Sequence, residues 1–95
     1  MGRSIFNSKV FGVITFDTTS QALRAEKLLQ TADQDFVMIP TPREITASCG
    51  LAVKIYPEDM VQVQADLRNE GVIISGVYQI DKSTGQTRLQ ALDAQ

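Results

Sequence analysis

Residues 10–32 read VFGVITFDTTSQALRAEKLLQTA, an apolar run followed by a polar break and an amphipathic segment. The run at residues 10–16 is rich in β-branched and aromatic side chains and is too short for a typical helix, so it predicts a central strand. Thr18 with Gln21 three residues later fits a capping box, which starts a helix predicted to end near Ala32. The apolar positions of that helix recur every three or four residues, the spacing that buries one helix face.

Three more strands and a second helix are predicted from the rest of the chain. Apolar residues alternate or run together over strand-length segments, and a proline occupies a position that the first turn of a helix tolerates. The predicted strands are residues 36–39, 51–55 and 72–80, and the predicted helix is residues 57–69. The order β-α-β-β-α-β predicts an α+β fold, a two-layer ferredoxin-like sandwich with a four-stranded antiparallel sheet and two helices on one face.

The length of the chain bounds its domain organisation. Ninety-five residues suit one small domain with one hydrophobic core. We assign the folded unit to residues 10–80, with residues 1–9 as an N-terminal extension. Residues 81–95 are expected to form a C-terminal tail that is partly mobile, although Leu89 and Leu92 could dock on the domain.

The composition excludes several kinds of site. The chain contains one cysteine, no histidine and no tryptophan. Without histidine there is no Ser-His or Cys-His pair, and one cysteine cannot form an internal disulfide, a CxxC redox pair or a thiolate zinc cage. No GxGxxG or GxxxxGK[ST] fingerprint occurs. We therefore expect no cofactor and no bound metal.

The charge distribution bears on partners and location. Nine basic and eleven acidic residues give a net charge of −2, and residues 10–80 hold five basic and nine acidic side chains. An acidic domain argues against nucleic-acid binding through bulk charge. No apolar run approaches the ~20 residues that span a bilayer, and residues 1–9 lack the apolar stretch of a signal peptide. The sequence predicts a cytoplasmic protein that does not bind membranes.

Cys49 lies in the segment 41–50, TPREITASCG, between the second and third predicted strands. This connection is too long for a tight hairpin, and loops of this kind often carry function. In the predicted topology the loop shares one edge of the sheet with the start of the first helix, so Cys49 is expected near that helix end with Arg43 beside it. A helix amino terminus, a neighbouring cation and free backbone N–H groups all favour thiolate over thiol. The loop therefore predicts a reactive cysteine.

Three stretches of the chain resemble the selenium/sulfur carrier-like family of small bacterial and archaeal domains. These stretches are FDTTSQALRAEKLL at residues 16–29, IPTPREITASCGLAVKI at residues 39–55 and YPEDMVQVQADLRNEGV at residues 56–72. The most specific piece is the run PTPR at residues 40–43, followed by SCG at residues 48–50. The resemblance covers roughly residues 10–80 and leaves both termini outside the family pattern.

The resemblance implies a role for the loop residues. Cys49 matches the cysteine assigned to hold sulfur or selenium in the family, and its surroundings are matched by Thr41, Arg43, Ser48 and Gly50. Arg43 is then expected to stabilise the anion, Ser48 to donate a hydrogen bond and Gly50 to permit close backbone approach. From their place at the start of the first helix, Thr18 and Thr19 are expected to cap the helix and to form a wall of the same site.

The function implied is that of a sulfur or selenium carrier. Cys49 would take the chalcogen from a donor such as a cysteine desulfurase, hold it as a persulfide or selenosulfide, and pass it to an acceptor protein of sulfur or selenium metabolism. Attack of a thiolate on sulfur needs no metal, no histidine and no second cysteine. The activity is at most a sulfurtransferase-type half-reaction.

The same residues also have structural interpretations. Cys49 could be a small inert hydrophobe of the core, and Arg43 could form a surface ion pair with Glu44 or Asp17 that contributes ~0–1 kcal/mol. The alternative function is then a non-catalytic regulatory or adaptor module. Such a module would bind a small ligand or a protein, with Cys49 in a structural role.

The first and fourth predicted strands are apolar at successive positions, so both faces of the sheet carry apolar residues. Phe11 and Val13 lie on the face opposite to Val10 and Ile14. In a two-layer fold the second face has no helix over it, and its apolar residues need cover from a second copy, a partner protein or the C-terminal tail. We favour a homodimer through that uncovered face.

Overall fold

The computed structural model describes residue 5, residues 8–46 and residues 48–92. Its strands and helices, in chain order, are β1 (Val10–Thr15), α1 (Thr19–Thr31), β2 (Val37–Pro40), β3 (Leu51–Ile55), α2 (Met60–Asn69), β4 (Gly76–Asp81) and β5 (Arg88–Leu92). A 3-10 turn at Pro57–Asp59 leads into α2. Residues 1–4, 6, 7 and 93–95, which belong to the two predicted terminal segments, lie outside the described residues.

The strands form one five-stranded antiparallel sheet in the order β2-β3-β1-β4-β5. The prediction of an α+β chain with two helices is confirmed, whereas the prediction of four strands is wrong. The additional strand, β5, comes from the C-terminal segment and pairs with β4 from Asp81 opposite Arg88 to Val77 opposite Leu92. Four of its five side chains are exposed, so no buried apolar pattern marks it in the sequence. Backbone pairing with β4 stabilises the strand, and Leu92 packs against the main core, whereas Leu89 is 38% exposed.

A six-residue connection, residues 82–87, joins β4 to β5 and contains a turn. The carboxylate of Asp81 accepts hydrogen bonds from the backbone N–H and the hydroxyl of Ser83, at 2.8 and 2.6 Å. Gly85 has a φ of +85°, a left-handed conformation that glycine adopts without a steric penalty. These local features turn the chain back along the edge of β4.

The fourth predicted strand begins later than its apolar run indicates. The run starts at Val72, whereas β4 starts at Gly76. Val72 is buried but Ile73 is 60% exposed, because this segment crosses from α2 to the sheet. The crossing ends where the Ser75 N–H donates to the Thr15 carbonyl at 2.8 Å.

Both helices pack on one face of the sheet. Helix α1 begins at the predicted cap, with the Thr18 hydroxyl accepting from the Gln21 N–H at 3.2 Å. The Gln21 side chain, predicted to complete a capping box, instead accepts from the Ile73 N–H at 3.0 Å. The helix residues of this core are Ala22, Ala25 and Leu29 from α1 and Met60, Val63 and Leu67 from α2, and the strand residues include Ile14, Val53, Ile55 and Val77. Gly12 of β1 makes room for α2, since a Cβ added there would collide with the Met60 side chain. This face is the main hydrophobic core.

The second face of the sheet is covered in part by the loop between β2 and β3. Ile45 of this loop is 6% exposed and forms a second buried cluster with Phe11, Val13, Ala52 and Ile80. The sequence-based expectation of an uncovered face is corrected here, because Ile45 of the loop packs against these apolar side chains. Homodimerisation through that face stays a prediction.

Candidate functional site

Cys49 lies at the end of the 41–50 loop, directly before β3. Its side chain is 3% exposed and belongs to the core beneath the helices. The Sγ atom lies 3.8 Å from the Thr19 Oγ1 in the first turn of α1. The backbone N–H of Leu51 donates a hydrogen bond to the same sulfur at 3.4 Å. The thiol is therefore buried and placed against the start of the first helix.

The Cys49 sulfur has polar neighbours within its apolar surroundings. The Leu51 N–H is a fixed donor, and the Thr19 hydroxyl can donate as well as accept. The start of α1 adds the partial positive charge of the helix dipole, which falls off within the first turn. Together these groups can stabilise a thiolate or a persulfide anion without a charged side chain.

Hydrogen bonds close the base of the loop that holds Cys49. The Thr41 hydroxyl donates to the Cys49 carbonyl at 2.9 Å, and the Thr41 N–H donates to the Gly50 carbonyl at 3.0 Å. Farther out, the Ile45 N–H donates to the Pro42 carbonyl at 3.0 Å. Thr41 thus joins the two ends of the loop and keeps Cys49 in its buried position.

Arg43, which was expected beside the thiol, does not lie next to Cys49. Its exposed side chain lines a groove on the second face of the sheet together with Lys54 and Lys82. Cys49 packs in the core on the opposite, helix-covered face. Within the part of the chain that the structure describes, no hydrogen bond or ion pair joins Arg43 to the thiol. The loop sends these two residues to different sides of the sheet.

The other residues predicted for the Cys49 site lie at different places in the loop and at the start of α1. Ser48 and Gly50 are exposed on either side of Cys49, and Thr41 supports the loop as described. Thr18 caps α1, and its neighbour Thr19 contacts the sulfur. Thr19, which is expected with Thr18 to form a wall of the site, is the one of the two whose side chain approaches the sulfur.

The described residues offer no group of three or more His, Cys, Asp or Glu side chains that could hold a metal ion. Over the same residues, no helix has the length and apolar character needed to cross a membrane.

Comparison with known proteins identifies the family of the chain. A family model described as "Putative Se/S carrier protein-like" matches residues 11–79. The chain is also 30% identical over 76 residues to a protein of Aquifex aeolicus (strain VF5) named "Putative sulfur carrier protein". That alignment covers 78% of this chain and 39% of the relative, so the chain spans well under half of the relative's length. No solved structure gives a significant match.

The matched region contains the loop with Cys49, the start of α1 and both helices. The resemblance carried by the three sequence stretches is thereby confirmed. The chain belongs to the Se/S carrier protein-like family.

Proposed function

We propose that this protein carries sulfur or selenium on Cys49, as a persulfide or a selenosulfide, between a donor protein and an acceptor protein. The observation that carries the proposal is the position of the thiol. In a chain of the carrier family, the sulfur lies at the start of α1 with Thr19 and the Leu51 N–H as hydrogen-bond partners. This arrangement can stabilise the anion at each stage of a transfer.

The transfer consists of two displacements at sulfur. The Cys49 thiolate attacks the outer sulfur of a donor cysteine persulfide, the donor S–S bond breaks, and the donor leaves as a thiolate. Cys49 then holds the outer sulfur, with its proton, as a persulfide. A nucleophile of the acceptor attacks that outer sulfur, and Cys49 leaves as a thiolate. No net oxidation or reduction takes place, so the cycle requires no redox cofactor.

The burial of Cys49 requires the loop to open during each transfer. A side chain that is 3% exposed is inaccessible to the thiol of another protein. Opening breaks the hydrogen bonds that Thr41 makes across the base of the loop, each with a net contribution of about 0.5–1.5 kcal/mol. Closure shields the persulfide from solvent and from oxidation between transfers. The proposal places this chemistry in the cytoplasm, where thiols are kept reduced.

The test is a persulfidation reaction followed by intact mass. The reduced protein is incubated with a cysteine desulfurase and cysteine, and its mass is measured without reductant. We expect the gain of one sulfur atom, its removal by reductant, and no gain in Cys49→Ser. The proposal would be contradicted if several donor enzymes gave no adduct although the thiol of the unfolded protein reacts fully with a thiol reagent.

One observation favours a second candidate, a non-catalytic regulatory or adaptor module with a structural Cys49. The Cys49 side chain belongs to the apolar core cluster of the domain. A purely structural cysteine predicts that Cys49→Ala lowers the free energy of unfolding while the native protein takes up no sulfur. The carrier proposal predicts sulfur uptake by the native wild-type protein, so the two measurements together separate the candidates.

A further inference from the structure

A groove of about 540 Å³ lies on the face of the sheet opposite to the helices. Its floor is apolar, with Phe11 of β1, Ile39 of β2 and Ile80 of β4. Three basic side chains line it, Arg43 from the loop, Lys54 from β3 and Lys82 after β4. Apolar walls with a few converging charged groups are typical of binding sites.

Two of the basic side chains approach one aromatic ring. The Lys54 Nζ lies 4.2 Å from the centroid of the Phe11 ring, and the Lys82 Nζ lies 6.0 Å from it. Lys54 is 8% exposed. Burial lowers the pKa of Lys54, and the neighbouring charge of Lys82 lowers it further. Two basic side chains therefore approach the same aromatic surface.

The groove differs in charge from the rest of the protein. The whole chain has a net charge of −2, yet three of its nine basic residues line this groove. Glu44 is the acidic residue among the lining side chains. The local excess of positive charge complements a negatively charged partner and attracts it over a distance of about one Debye length.

We propose that this groove is the docking site for an acidic, extended segment of a partner protein, with an apolar side chain of that segment on Ile39 and Pro42, which are half-buried. The lining residues come from four neighbouring strands, β2, β3, β1 and β4, and from the segments next to them. At ~4.8 Å between strands the groove is about 14 Å long, the length of four to five extended residues at ~3.3 Å each. The proposal goes beyond sulfur carriage and does not rest on it.

The recognition would combine two contributions. Carboxylates of the segment pair with the exposed side chains of Arg43, which follows β2, and Lys82, which follows β4. These pairs supply orientation and a fast, salt-dependent association. The apolar side chain of the segment excludes water from the floor of the groove, and this contact slows dissociation of the segment.

The test measures peptide binding by isothermal titration calorimetry with the full chain. The probe is an acetylated and amidated hexapeptide of sequence EDFEDL, and its neutral counterpart is QNFQNL. We expect the acidic peptide to bind and the neutral one to bind at least about tenfold more weakly. The double variant Arg43→Glu/Lys82→Glu should lose at least about tenfold in affinity for the acidic peptide, because both end contacts become repulsive.

Matched controls separate docking in the groove from other causes. Lys27→Glu on α1 makes the same kind of charge reversal outside the groove, and we expect a change of less than about twofold, as for an exposed charge far from the ligand. Cys49→Ser should bind the peptide as the wild type does, so a failure of sulfur carriage leaves this result intact. Circular dichroism checks that each variant is folded.

Three results would overturn the proposal. The first is no binding of the acidic peptide, and the second is an equal loss in Lys27→Glu, which would indicate bulk charge. The third is competition by free glutamate at the same carboxylate concentration, which would indicate a small-anion site in place of a peptide groove.

Discussion

The sulfur of Cys49 is held by groups from two distant parts of the chain. Thr19 precedes Cys49 by 30 residues, while Leu51 follows it by two. Thr41 holds the backbone of Cys49 through the hydrogen bond from its hydroxyl to the carbonyl of Cys49. The reactivity of the Cys49 thiol therefore depends on how often these contacts open, since the buried side chain itself is inaccessible.

The Thr41 hydroxyl gives a direct test of loop opening. Thr41→Val keeps the shape of the side chain and removes the donor to the Cys49 carbonyl. We expect the native thiol to react with a disulfide reagent about two- to tenfold faster, from the ~0.5–1.5 kcal/mol of the lost hydrogen bond. The measurement is the pseudo-first-order rate of thiol titration at fixed pH.

Thr41→Ser is the matched control because it retains the hydroxyl. Its thiol should react within about twofold of the wild-type rate, as expected when the hydrogen bond is kept. Equal acceleration in both variants would show that side-chain packing, and not the hydrogen bond, closes the loop.

Among the secondary-structure elements, β5 depends most on local turn chemistry. Its side chains bury little surface, so the turn that returns the chain to β4 has a large share in placing it. Asp81 ends β4 and accepts two hydrogen bonds from Ser83. The Ser83 hydroxyl, then the Ser83 N–H and the charge of Arg88, hold the pKa of the Asp81 carboxyl below its ordinary value of 3.8.

This lowered pKa predicts a pH dependence of the β4–β5 hairpin. The ionised carboxylate contributes stability that is complete above the unfolded-state pKa, and the contribution is lost as the pH falls through the lower pKa of the folded state. In Ser83→Ala the largest cause of the lowering is absent, and we expect the pKa of Asp81 to move back towards 3.8. NMR titration of the Asp81 carboxyl carbon measures it, and an unchanged pKa in Ser83→Ala would contradict this account.

Over the whole molecule, one loop connects the two faces of the sheet. Residues 41–50 bring Cys49 to the core under the helices, Ile45 to the cluster on the second face, and Arg43 to the groove. The loop therefore contributes side chains to both buried clusters, one on each face of the sheet. Its closed position depends on the packing of these side chains. Sulfur exchange at Cys49 and docking in the groove would involve the same segment.

The contribution of Ile45 to the second core can be measured. Ile45 is 6% exposed, and Ile45→Ala should lower the free energy of unfolding by about 2–4 kcal/mol through lost burial and a residual cavity. Ile73 is 60% exposed, so Ile73→Ala should change the free energy of unfolding by no more than about 0.5 kcal/mol. Urea denaturation of both variants provides the comparison. Equal effects of the two substitutions would mean that the loop does not stabilise the second face.

Local pattern in the sequence was enough for much of the fold. The cap at Thr18, the stripe of α1 and the apolar strands β1 and β3 follow from periodicity and capping, which act between near neighbours. The family also follows from the sequence, through the stretches around Cys49 and both helices.

Only the tertiary structure decided the features that depend on contacts between distant residues. β5 pairs with the free edge of β4 through its backbone, and its mostly exposed side chains give no sign of that pairing in the sequence. Thr19, in place of Arg43, meets the Cys49 sulfur because the loop folds around both faces of the sheet. Sequence proximity places residues on one loop, but the packing of that loop determines which side of the sheet each residue reaches.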